Sequence, residues 1–132
     1  MFGGTGRSGI PEIVKAIDGM KNDAKIATIL VLPYFAPMER KDGAIQASRF
    51  NSKTKAALSF YKDSGLMDKI DKIYYVGDPY PTVIPYSEGG KDQINNANFV
   101  ELIAAMMIEH YVAGRNADKK EFKFSPDANI VV

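Results

Sequence analysis

The sequence predicts an α/β fold: a layered, Rossmann-like arrangement with a mostly parallel sheet and helices packed on it. Three observations carry that expectation. Two short, almost continuously apolar runs, 25–32 and 70–76, stop at Pro33 and Gly77, as strands buried on both faces do. Helical periodicities flank and separate them. A glycine-rich segment leads directly into the first helix, the place where such folds bind anions.

The elements follow in order. Phe2-Gly3-Gly4-Thr5-Gly6-Arg7-Ser8-Gly9 holds four glycines in seven positions and reads as a loop. Ile10, Ile13, Val14, Ile17 and Met20 then share one helical face, with Ser8 as N-cap and Pro11 in the first turn. Residues 25–32 form the first strand, and 33–43 a polar connection. A second helix is expected over 44–64, with Phe50, Ala57, Leu58 and Tyr61 on one face and Gly65 as its stop. Residues 70–76 form the second strand, and 78–91 a long loop of functional or mobile character. A third helix is expected over 92–113, stopped by Gly114. From Phe99 to Ile108 only Glu101 is polar, so burial on all sides is expected, with the cover lying partly outside this fragment. Two strand-like pieces, 122–124 and 129–132, close the chain.

Composition bounds the function. The 132 residues fit a single domain, 1–132. A net charge of +1 creates no field that gathers nucleic acid or an anionic membrane. The absence of cysteine excludes disulfide and thiolate chemistry, and a single histidine makes a histidine-based metal site improbable. The longest apolar run is too short to span a bilayer, and no signal peptide is recognised, so the expected compartment is cytoplasmic.

The glycine segment carries the candidate chemistry. Backbone N–H groups at a helix N-terminus form an anion site, favoured by the helix dipole. Thr5 and Ser8 can add hydroxyl donors, and Arg7 can pair with a phosphate. The plain alternative is a tight turn whose glycines serve packing alone. A P-loop is excluded, because no lysine follows these glycines. The dinucleotide fingerprint G-x-G-x-x-G matches as Gly4 to Gly9, without its preceding strand or its acid after the next strand. Such loops normally follow a strand, and only Met1-Phe2 stand ahead of this one, so the chain is expected to be a fragment of a larger nucleotide-binding protein.

Phe2-Gly3-Gly4-Thr5-Gly6-Arg7-Ser8-Gly9-Ile10-Pro11, a helix, and then Ile29-Leu30-Val31-Leu32-Pro33-Tyr34-Phe35 resemble the central stretch of the tubulin/FtsZ family. The likeness runs from the Gly-Gly-Thr-Gly phosphate loop through the family's central helix. It implies a site for GTP or GDP, with or without Mg, whose phosphates sit on Gly3, Gly4, Thr5 and Gly6, with Arg7 and Ser8 beside them. The strand ending in Val76-Gly77-Asp78 would bring Asp78 to the guanine base, and the start of the third helix would bring Asn95 and Asn98. Asn116-Ala117-Asp118-Lys119-Lys120-Glu121 is similar to the family's N-x-D-x-x-D segment, which implies a catalytic role for Asp118 and Glu121 on a neighbouring subunit's nucleotide. The sequence departs from the pattern at Phe2, Arg7, Ser8 and Glu121, and the family's N-terminal half is missing.

Two alternatives stand beside this one. The glycine segment also resembles the opening of NAD(P)-binding short-chain dehydrogenases, although no tyrosine has a lysine four residues on. A non-enzymatic interaction domain with a structural glycine loop is the other. Expected partners are a nucleotide and a homo-oligomer or the rest of a longer chain, with no nucleic acid and no membrane. His110 reads as packed or capping, Met106-Met107 as core filling, and Glu88-Gly89-Gly90 as a turn.

Overall fold

The computed structural model describes residues 4–20, 23–38, 48–78, 82–85, 91 and 96–124. Strands β1 (Ala27–Val31), β3 (Lys72–Val76) and β5 (Glu121–Phe124) form an all-parallel sheet in the order β1-β3-β5. A smaller parallel pair joins β2 (Phe35–Pro37) to β4 (Thr82–Ile84). The helices are α1 (Gly4–Gly19), α2 (Ser48–Asp63) and α3 (Phe99–Val112), with a 3₁₀ turn at Leu66–Lys69. The expected α/β class with a parallel sheet and packed helices is therefore the observed one.

Alternate strand residues face opposite sides of the sheet, and two cores result. On one side Leu30 and Ile73 pack with Val14 of α1, Tyr61 of α2, and Leu66 and Ile70. On the other, Tyr74, Val76 and Phe122 pack with Val100 and Met107 of α3. Leu30, Tyr61, Leu66, Ile73 and Val76 are fully buried; burying a large apolar side chain stabilises by roughly 1.5–3 kcal/mol. From β1 to β3 and from β3 to β5 the chain advances across the sheet in one direction, yet α2 and α3 lie on opposite faces. The two crossovers therefore have opposite hands, and one of them is the rare left-handed kind.

The first helix departs from the sequence expectation. It begins at Gly4, so Ser8 lies inside it rather than at its N-cap, and Pro11 lies mid-helix rather than in the first turn. Gly4, Gly6 and Gly9 are helical too. Proline has no N–H for the carbonyl four residues back, which here is Arg7. That carbonyl accepts the Tyr61 hydroxyl instead, at 2.6 Å. Of the expected apolar face, Val14 is buried and Ile10 and Ile17 half-buried, while Ile13 and Met20 are exposed. Near the helix's end Asp18 pairs with Lys69, just ahead of β3. The helix is thus tied to the turn ahead of β3 by Asp18 and to the last turn of α2 by the Arg7 carbonyl.

Other boundaries also shift. Residues 44–47 of the expected second helix, 92–95 of the third and the piece 129–132 lie outside the described residues. Gly65, at φ 73°, ends α2 through the left-handed conformation that glycine adopts without strain. The stretches read as connections contain β2 and β4. Burial of α3 on all sides is not found: Val100 and Met107 are buried, whereas Leu102, Ile108 and Val112 are exposed. Three described layers offer this helix one covering surface, the sheet. Among the described residues, no helix is long and apolar enough to cross a membrane.

Candidate functional site

The C-terminal edge of the sheet is where the topology makes a crevice. The connection leaving β1 goes to the face covered by α2, and the one leaving neighbouring β3 goes to the face covered by α3. Adjacent strands whose connections part in this way leave a cleft outside their C-terminal ends, where open α/β sheets bind ligands. Here the two segments stay paired through Leu32-Pro33 and Gly77-Asp78 and pair again at β2 and β4, and the cleft lies beside them, lined by these four residues.

Backbone bonds fix its walls. Leu32 N–H donates to the Val76 carbonyl at 2.7 Å, and Asp78 N–H to the Pro33 carbonyl at 3.2 Å. The two segments run so close that a Cβ on Gly77 would stand 2.9 Å from the Leu32 Cβ. Asp78 is half-buried at this edge. Asn98 caps α3, its Oδ1 accepting from Val100 N–H at 3.0 Å. The Phe99 ring lies 6.1 Å from that of Phe124, the last residue of β5, so the start of α3 is at the same edge.

The expected binding residues distribute as follows. Gly4, Thr5 and Gly6 form the first turn of α1. Arg7 is half-buried and Ser8 exposed in the next turn. Asp78 and Asn98 lie at the C-terminal edge, while Gly3 and Asn95 lie outside the described residues.

Asp118 and Glu121 are elsewhere. Glu121 opens β5 opposite Ile73, at the N-terminal edge of the sheet. The Lys72 ammonium gathers the carbonyls of Asn116, Ala117 and Lys119 there. Both acids are exposed, about 16 Å of strand away from the crevice. Glu121 nonetheless lines the far end of a groove that Leu32, Pro33, Gly77 and Asp78 also line.

A groove of about 950 Å³ descends from the crevice between α2 and the outer part of the sheet. Its walls include Thr54, Lys55, Leu58 and Lys62 of α2, and Tyr75 and Lys123 of the strands. Sequence reading missed it. The one signal available was Thr54, a polar residue at helical spacing within the apolar stripe of Phe50, Ala57 and Tyr61. On the opposite face His110 is packed: its Nδ1 lies 2.9 Å from the Tyr74 hydroxyl and its ring stands edge-on to Phe122. Among the described residues, no cluster of three His, Cys, Asp or Glu could hold a metal.

Four tyrosines have raised pKa values. Burial is the main cause for Tyr61, Tyr74, Tyr75 and Tyr111. Glu121 raises Tyr75 further, its Oε1 lying 3.5 Å from the phenol oxygen. None of the four is thereby activated as a base at neutral pH.

No family model matches the chain, and neither does any curated protein or solved structure.

Proposed function

We propose that the crevice binds a GTP-type nucleotide. The phosphates would sit on the first turn of α1 and on Gly3 ahead of it, in the dipole field of the helix N-terminus. The base would lie near Asp78 and the start of α3, where the cap leaves the Nδ2 of Asn98 as its polar offer. The observation that carries this reading is that the resemblance-bearing Gly4-Thr5-Gly6 segment forms the first turn of α1, a helix N-terminus of the kind that binds anions.

Any hydrolysis would fall to Asp118 and Glu121 of a second copy, stacked so that its N-terminal sheet edge meets this crevice. Magnesium, if it accompanies the nucleotide, would be held chiefly by the phosphates.

One observation favours GTP-type binding over NAD(P). The third glycine of a dinucleotide fingerprint serves close helix–strand packing. A Cβ at Gly9 would meet nothing within 4 Å.

A thermal-shift titration with GTP, ATP and NADPH, with and without magnesium, tests the proposal. A ligand that binds only the folded state raises the midpoint as its concentration rises. GTP should do so for the native chain and not for Gly4→Val. A rise with NADPH alone would move the site to the dehydrogenase reading.

A further inference from the structure

The groove beside α2 has features that the nucleotide reading does not use. Thr54 is 7% exposed, and its Oγ1 finds no hydrogen-bond partner. Leaving a buried hydroxyl unsatisfied costs about 1–3 kcal/mol, so such an atom needs a reason. It lines a groove whose other walls are largely apolar or aromatic: Leu58 from the helix and Tyr75 from β3. Lys55 and Lys62 stand on the same helix wall, seven residues apart, and form no ion pair among the described residues. The facing charges are Glu121, beside the Tyr75 hydroxyl, Lys123, whose ammonium lies 6.0 Å from the Tyr75 ring centre, and Lys120, which donates to the Met67 carbonyl. Asp68 and Asp78 mark the two ends.

From these features we infer that the groove is a second binding site, for a small planar aromatic anion. The ring lies along Tyr75 and Leu58, a polar group on it meets Thr54 Oγ1, and its acidic group reaches Lys55 and Lys62. The lysines supply charge that the groove leaves unpaired, and the hydroxyl supplies direction. The site stands whether or not a nucleotide binds at the crevice.

The test uses 1-anilinonaphthalene-8-sulfonate as the probe, titrated into the whole chain and followed by backbone amide NMR shifts. Shifts should cluster at Thr54, Leu58, Tyr75 and Lys123. Thr54→Val, which removes an unsatisfied group and keeps the fold, should weaken binding about fivefold. The double variant Lys55→Gln, Lys62→Gln should also weaken it about fivefold, with a loss of salt dependence. The uncharged N-phenyl-1-naphthylamine should bind more weakly than the sulfonate. Shifts confined to Leu102, Met106 and Val112 on α3 would overturn the proposal. So would unchanged affinity in the three substitutions.

Discussion

The Tyr61 hydroxyl donates to the Arg7 carbonyl, 54 residues away in sequence, at 2.6 Å. This is the carbonyl that Pro11 deprives of its helical donor. One contact from α2 thus completes α1 around its interior proline and ties the two helices together.

Tyr61→Phe should therefore destabilise the chain by about 1–3 kcal/mol, because it strands a carbonyl in a buried setting. Pro11→Ala restores the missing N–H, so the same Tyr61→Phe change in that background should cost less. Urea unfolding of the four-member cycle measures the coupling. Strict additivity would contradict the pairing.

The close approach of the paired segments at Leu32 and Gly77 predicts a second effect. Gly77→Ala puts a methyl 2.9 Å from the Leu32 Cβ. Overpacking of this kind costs about 1–3 kcal/mol. The cost appears in the unfolding midpoint, and Leu32→Gly, which removes the opposing Cβ, should lessen the increment caused by Gly77→Ala.

Alkaline pH should destabilise the fold. Burial raises the folded pKa of Tyr61, Tyr74, Tyr75 and Tyr111 above the ordinary value of about 10. Above about pH 10 the unfolded chain releases these protons first, so the folded state loses ground. Their contribution is fully present at lower pH and is lost as pH rises through the folded values. Urea midpoints measured from pH 8 to 11 should be flat to about 10 and then fall. Tyr74→Phe should flatten the fall; an unchanged slope would remove Tyr74 from the cause.

The outer side of α3 predicts self-association rather than instability. Leu102 is 64% exposed and Val112 79%. Leu102→Gln with Val112→Lys should change stability by no more than about 0.5 kcal/mol, as surface changes do. Light scattering at high concentration should fall. A large loss of stability would mean that this face is covered in the folded chain.

Legibility in the sequence followed locality. The runs at 25–32 and 70–76 became β1 and β3, since a buried parallel strand needs only a short apolar segment with a stop. Gly65 ended α2 because a positive φ is a local demand. The start of α1 was misread because the group that makes Pro11 tolerable sits on Tyr61, in another element. The apolar composition of α3 states what the helix can bury, while the layers of this chain cover only the side of Val100 and Met107. Asp78 and Asn98 lie at one edge of the sheet, and nothing in the sequence revealed that β1 and β3 send their connections to opposite faces. Thr54 was passed over because a hydroxyl in an apolar stripe ordinarily bonds its own helix.

The central claim is a place as much as a ligand: a nucleotide at the C-terminal edge of the sheet, on the first turn of α1. Titration of magnesium-GTP into the isotope-labelled chain, followed by backbone amide NMR shifts, tests it most directly. The account predicts saturable shifts at Gly6, Gly77, Asp78 and Phe99, with Asp118 and Glu121 unmoved. Shifts at the opposite edge alone, or none at millimolar GTP, would contradict it.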